Sequence, residues 1–93
     1  MSWSVYILLC ADGSFYVGHT ADIAQRVAAH NAGKGARFTA LRRPVRLVYS
    51  ETFNSESSAI AREGQLKKWS RVKKQALISD DKASLHALAR CRT

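Results

Sequence analysis

The chain has 93 residues, of which 46% are hydrophobic and 24% charged. That is the length of one domain with one modest core, and the composition excludes a disordered or low-complexity chain. Fifteen Lys and Arg against seven Asp and Glu leave a net charge of +8, a field that favours a polyanionic partner, nucleic acid ahead of an anionic membrane surface.

No apolar run approaches the roughly 20 residues of a membrane span. No segment pairs a strong basic face with a Trp/Phe/Leu face as an interfacial helix would, so no membrane partner is expected. No basic region precedes the apolar stretch Val5 to Cys10, which therefore reads as a strand and not a signal peptide. Cys10 and Cys91 lie far apart with no Cys-x-x-Cys pairing. This argues against a zinc site or a disulfide framework and makes a reducing cytoplasm the expected location.

The first predicted element is a hairpin. Trp3 to Cys10 is rich in β-formers, Ala11-Asp12-Gly13 is a turn, and Ser14 to His19 continues as a second strand. A two-residue loop would put Tyr6 and Tyr16 on opposite faces. A three-residue loop, with Gly13 left-handed as a bulge, pairs Cys10 with Ser14, Leu8 with Tyr16 and Tyr6 with Gly18. Only the second gives one wholly apolar face, Val5, Ile7, Leu9, Phe15 and Val17, and it gathers both tyrosines on the other.

A helix follows from about Ala21 to Asn31, with Thr20 as N-cap, Asp22 in the positive first turn and Gly33 as the stop. Residues 32–43 read as a Gly- and Arg-rich loop. Pro44 opens a third strand, Val45 to about Phe53. Asn54 or Ser55 caps a long helix to about Trp69, a short basic helix covers Ser70 to Ile78, and a last helix covers Asp81 to Ala89. The order β-β-α-β-α-α-α predicts a single α+β domain over residues 1–93, a small three-stranded antiparallel sheet flanked by helices.

Two helical positions carry chemistry out of place. On the first helix Ile23 and Val27 mark the buried stripe, and Arg26 and His30 lie at its edge, along the seam with the sheet. On the long helix Ala59, Ile60, Leu66 and Trp69 define the apolar side, and Glu63 falls within it. A carboxylate there needs a cation or a partner. The plain alternative is a surface cluster of Arg62, Glu63 and Lys67. Gly64 costs about 1 kcal/mol against alanine in mid-helix, which predicts close backbone packing at that point.

Ser4-Val5-Tyr6, followed after a short turn by Tyr16-Val17-Gly18, resembles the paired motif that names the GIY-YIG nucleases. Arg26 ten residues after Tyr16, His30 four later, and Glu63 on the next long helix after a third strand match the same pattern. The stretches Tyr16 to Thr20, His30 to Thr39 and Glu63 to Lys68 look like the small stand-alone bacterial members. The resemblance covers Val5 to about Ile78.

That resemblance implies an endonuclease hydrolysing phosphodiester bonds, with Tyr6, Tyr16, Arg26, His30 and Glu63 as catalytic residues. Glu63 would hold one Mg²⁺ (or Mn²⁺), with waters and a phosphate oxygen completing the octahedron. Arg26 would contact the scissile phosphate. Tyr6 or Tyr16 would position or deprotonate the attacking water, and His30 would orient a tyrosine or relay a proton. Lys34 and Arg37 in the glycine-rich loop, and Lys67, Lys68, Arg71, Lys73 and Lys74 after Glu63, would hold phosphates without reading sequence. Larger members of the family add a DNA-reading domain. A chain without one is expected to cut DNA, ahead of RNA, with weak sequence specificity, directed by DNA shape or a protein partner, possible settings being repair or recombination. The rival expectation is a non-catalytic nucleic-acid-binding or adaptor module that keeps the fold.

Overall fold

The computed structural model describes the backbone of residues 2–90 and the side chains through residue 80; Cys91 lies outside the described residues. The hairpin has the register that alternation selects. β1 (Trp3–Leu9) and β2 (Phe15–Thr20) run antiparallel, with Leu8 opposite Tyr16 and Tyr6 opposite Gly18. Gly13 carries φ +88°. Its N–H bonds to the Cys10 carbonyl, and the Cys10 N–H to the Ser14 carbonyl, each at 2.9 Å.

β3 (Arg46–Phe53) pairs antiparallel with the far side of β1, giving the order β2-β1-β3. Ile7 faces Tyr49 while Leu8 faces Leu47, so Val48 is the extra residue of a bulge. Both faces of the sheet are covered. Val5, Ile7, Val17 and Tyr49 pack with Ala59 and Leu66 of α3 (Glu56–Lys67) and Ile78 of α4 (Arg71–Arg90). Tyr6, Leu8, Cys10 and Val45 form the second cluster, with Tyr16 and Val27 against it. Each large apolar side chain buried in these layers contributes about 1.5–3 kcal/mol.

α1 runs Ile23–Asn31, two residues later than the expected start, because Asp22 and not Thr20 is its N-cap. The Asp22 carboxylate accepts the Gln25 N–H at 3.1 Å. Thr20 is spent one step earlier, its hydroxyl oxygen accepting the Asp22 N–H at 3.1 Å in a turn that leads into the helix. The helix ends as expected at Gly33, φ +80°. The Gly33 N–H reaches the His30 carbonyl at 3.1 Å and the Lys34 N–H the Ala29 carbonyl at 2.8 Å, the Schellman pair. The Asn31 amide then bonds both backbone groups of Val45, at 2.7 and 3.0 Å, and ties the end of α1 to the start of β3.

Several expectations are corrected. Residues 32–43 are not all loop: α2 (Arg37–Ala40) is a single helical turn within them. α3 is capped by Ser55 as expected but ends at Lys67. Ile60 is 49% exposed and outside the apolar stripe. Gly64 packs against nothing, since a Cβ built there meets no atom within 4 Å. The two helices expected after Ser70 are one continuous helix, because nothing between Ile78 and Asp81 interrupts its backbone. The order is therefore β-β-α-α-β-α-α, and the α+β class with its three-stranded antiparallel sheet stands.

Candidate active site

β2 is an edge strand, and a pocket of about 160 Å³ forms around it. Tyr6, Tyr16, Arg26, His30 and Glu63 all line this pocket, with Gly18, His19 and Gly35. They arrive from both faces of the sheet. Tyr6 and Tyr16 come from the hairpin face that packs against α1, which supplies Arg26 and His30. Glu63 comes from α3 on the opposite face. Gly18 makes room for Tyr6, its partner across the hairpin: a Cβ there would overlap the Tyr6 ring.

Tyr6 is buried, and its hydroxyl lies 2.9 Å from His30 Nε2. Burial first, then the nearby Tyr16 phenol, pushes the Tyr6 hydroxyl well above the ordinary tyrosine range, against the pull of Arg26. His30 is the one buried side chain of α1; Ile23 and Val27, expected as its buried stripe, are only half-buried. Burial, with the Arg26 charge behind it, holds the His30 imidazole below its ordinary value. Its Nδ1 lies 2.7 Å from Thr39 Oγ1. Tyr16 is half-buried, with its ring centroid 5.2 Å from that of His30 and 6.0 Å from Phe38, on which it stacks.

Arg26 is half-buried, and its Nε, shielded from solvent, has no hydrogen-bond partner among the described residues. A buried donor left unmade costs about 1–3 kcal/mol. The Arg26 side chain lines the pocket, where a guanidinium suits an anion's oxygens.

Glu63 is 15% exposed. One oxygen is hydrogen-bonded to His19 Nδ1, and the other lies 2.7 Å from Lys67 Nζ. Burial raises its carboxyl, but Lys67 and His19 together outweigh burial and hold it below the usual carboxylate range. The surface cluster suggested as the plain alternative is only half formed. Lys67 pairs with Glu63, while Arg62 turns to Glu51, with both nitrogen–oxygen distances 2.9 Å.

The pocket fits one hydrated divalent ion. Two hydrogen bonds leave lone pairs on the Glu63 oxygens. The volume of about 160 Å³ has room for several waters beside Glu63, and Mg²⁺ held by one carboxylate keeps several of its waters. No group of three or more His, Cys, Asp or Glu gathers as a metal site among the described residues, so any ion here would be held mainly through water.

The basic residues fall into two sets. Lys34 and Arg37 are exposed beside pocket-lining Gly35. Lys68, Arg71 and Lys73 are exposed beyond α3, and Lys74 is half-buried. Arg71 sits 4.5 Å over the Phe15 ring and Lys73 4.5 Å over Trp69. Lys67 is already paired with Glu63.

His19, Thr39 and Gly35 were not singled out by sequence. His19 carried a signal, since it follows Phe15 and Val17 on the apolar face, where a polar residue breaks the alternation as Glu63 does on its helix. Thr39 and Gly35 lay in a segment read as loop, where periodicity offers nothing.

Residues 2–76 match the sequence model of the GIY-YIG catalytic domain. A UPF0213 protein of Staphylococcus saprophyticus is 50% identical over 82% of this chain and 93% of its own length. One of Natronomonas pharaonis is 48% identical over 83% of this chain and 91% of its own. The solution NMR structure of a UPF0213 protein from Bacillus halodurans superposes with a TM-score of 0.55 at 46% identity, covering 85% of this chain and 84% of that one. No helix among the described residues is long and apolar enough to cross a membrane. A domain match over most of the chain, joined to relatives this similar across nearly their whole length, shows that the protein belongs to the GIY-YIG family, a nuclease superfamily.

Proposed function

We propose that this chain is a single-domain, divalent-metal-dependent endonuclease that hydrolyses phosphodiester bonds in DNA ahead of RNA, in the cytoplasm and with weak sequence specificity. One observation carries the reading. A guanidinium, that of Arg26, and a carboxylate with spare lone pairs, that of Glu63, line the same pocket without pairing with each other, beside two tyrosines and a histidine.

Arg26 would hold a non-bridging phosphate oxygen through its guanidinium, which stabilises developing negative charge. Glu63 would hold Mg²⁺ or Mn²⁺, and that ion, when bound, supplies Lewis-acid stabilisation of charge on the phosphate or the leaving oxygen. Tyr6 and Tyr16 would place the attacking water, with the Tyr6 hydroxyl backed by His30. Lys34 and Arg37 on one side, and Lys68, Arg71, Lys73 and Lys74 on the other, would hold the backbone leading into and out of the pocket. Lys67 would let go of Glu63 to join them.

A supercoiled plasmid incubated with Mg²⁺ or with EDTA, beside the Glu63→Ala variant, tests the proposal. Nicking that needs metal and disappears in the variant is the expected result. Equal nicking by both proteins would show that the activity is a contaminant's. The rival reading, a binding module that does not cut, draws on the hydrogen bonds already made by both Glu63 oxygens. It predicts binding without cleavage on duplex, branched, single-stranded and RNA substrates alike.

A further inference from the structure

His30 is 1% exposed and has a polar partner at each ring nitrogen. Which nitrogen bears the hydrogen follows from Thr39, itself 0% exposed. Its hydroxyl has one hydrogen and two acceptors in reach, the Ala36 carbonyl at 3.0 Å, within the turn that opens α2, and His30 Nδ1 at 2.7 Å. A carbonyl oxygen can only accept. Given to the carbonyl, that hydrogen leaves the Thr39 oxygen to accept from Nδ1–H, and the Thr39–Ala36, His30–Thr39 and Tyr6–His30 contacts are all made; given to Nδ1, it leaves the Thr39–Ala36 contact unmade. In the neutral ring the first arrangement, which makes all three, leaves Nε2 bare. The 2.9 Å contact with Tyr6 then has one polarity: the phenol donates and Nε2 accepts.

Gly35 completes the arrangement from the same segment. A Cβ built there would lie 2.5 Å from Cγ and 2.7 Å from Cε1 of His30. No side chain fits, and the backbone at residue 35 lies against the imidazole ring. The ring is thus fixed in place by Gly35 and in protonation by Thr39.

We propose that Gly35 and Thr39 are positioning residues, a clamp that holds His30 as its Nδ1–H tautomer so that Nε2 is the acceptor for the Tyr6 hydroxyl. The catalytic meaning of the clamp rests on the nuclease reading; its geometry does not. With this polarity the Tyr6 hydrogen points to His30, and the lone pairs of the phenol oxygen are left for the pocket. When that oxygen takes a proton from a water, its own proton passes to Nε2. The water becomes hydroxide, the phenol stays a phenol and the ring becomes imidazolium. With the other tautomer Nε2–H would donate to Tyr6, and the phenol would offer the pocket a donor instead.

The test reads the ring nitrogens directly. Metal-free, ¹⁵N-labelled full chain at pH 7.5 is examined by long-range ¹H–¹⁵N correlation, with His30→Gln identifying the His30 signals among the three histidines. The expected spectrum has a protonated Nδ1 and a bare Nε2, kept in Thr39→Ser and moved toward Nε2–H in Thr39→Val. A wild-type spectrum with Nε2–H would overturn the clamp even if the valine variant failed to fold. So would a folded Thr39→Val that keeps Nδ1–H. In cleavage assays Thr39→Ser should stay within about threefold of wild type. Thr39→Val should lose about 10²-fold in kcat with KM unchanged and add nothing further in a Tyr6→Phe background. Additive losses would place Thr39 outside the Tyr6–His30 pair. Failure of the nuclease reading looks different: no cleavage by wild type, with the ring spectrum as expected.

Discussion

Glu51 and Glu63 both lie on the α3 side of the sheet, and the protein treats them in opposite ways. Glu51 on β3 is fully answered: Arg62 grips both its oxygens at 2.9 Å, and the Tyr49 hydroxyl donates to it as well. Burial raises the Glu51 carboxyl, but Arg62 and then Tyr49 more than reverse that, and it lies below the usual range. Glu63, twelve positions along on α3, meets only a histidine and a mobile-stemmed lysine, and its pocket neighbour Arg26 has a nitrogen with no partner among the described residues. The first cluster is closed and holds α3 to the sheet. The second keeps donor and acceptor apart around a space. Arg26 and Glu63 are opposite charges lining one pocket that do not pair, which is how a site built for a third party differs from a structural ion pair.

The largest effect should separate the two carboxylates. Glu63→Ala is expected to lower cleavage on the order of 10³-fold while leaving the melting temperature within a few degrees, since its Lys67 pair is half exposed and worth about 0.5 kcal/mol. Cleavage surviving in that variant, measured per folded molecule, would break the comparison. Arg26→Met comes next. It should lose about 10²-fold in rate yet melt no lower than wild type, because it removes a buried donor that has no partner among the described residues. A clear drop in melting temperature would mean that Arg26 has a structural partner after all.

Glu51→Ala reverses the pattern. Stability should fall by about 1–3 kcal/mol in denaturant titrations, for Arg62 is left without its acid, and cleavage by the remaining folded protein should be unchanged. Gly64→Ala sharpens the contrast from the helix that bears both Arg62 and Glu63. With nothing within 4 Å of the added methyl, the variant should gain about 1 kcal/mol of stability at constant activity.

The smallest effect is one of pH. His30 is held below its ordinary value by burial and then Arg26, so the unfolded chain binds a proton more readily than the folded one. Its contribution to stability is present above about pH 6.5 and is lost as pH falls below that. The loss should be under roughly 1 kcal/mol per pH unit and should vanish in His30→Gln. The acid limb of the cleavage profile should likewise lie below 6.5.

What the sequence made legible follows from what each feature depends on. The hairpin register was readable because a one-residue slip would have exposed Val5, Ile7 and Val17, a penalty no other residue could offset. Glu63 was readable because a carboxylate in an apolar stripe is an anomaly by itself. Asp22 and Thr20 were confused because either can cap a helix, and only the backbone at the start of α1 decides between them. Gly64 misled because glycine in a helix has two meanings, close packing or mere tolerance, and local pattern does not separate them. Thr39 and Gly35 were out of reach because their partner, His30, lies in another element and is met only once the chain has turned at Gly33.

The placement of the pocket around the sheet's edge has a consequence for how the molecule fails. The proposed machinery is divided between the packing layers, Tyr6, Tyr16, Arg26 and His30 on one side and Glu63 on the other, and neither part alone assembles the proposed centre. A chain that has collapsed only one layer, whether newly made or beginning to melt, is then chemically silent. For a member of a nuclease superfamily, that arrangement amounts to a safety interlock written into the architecture.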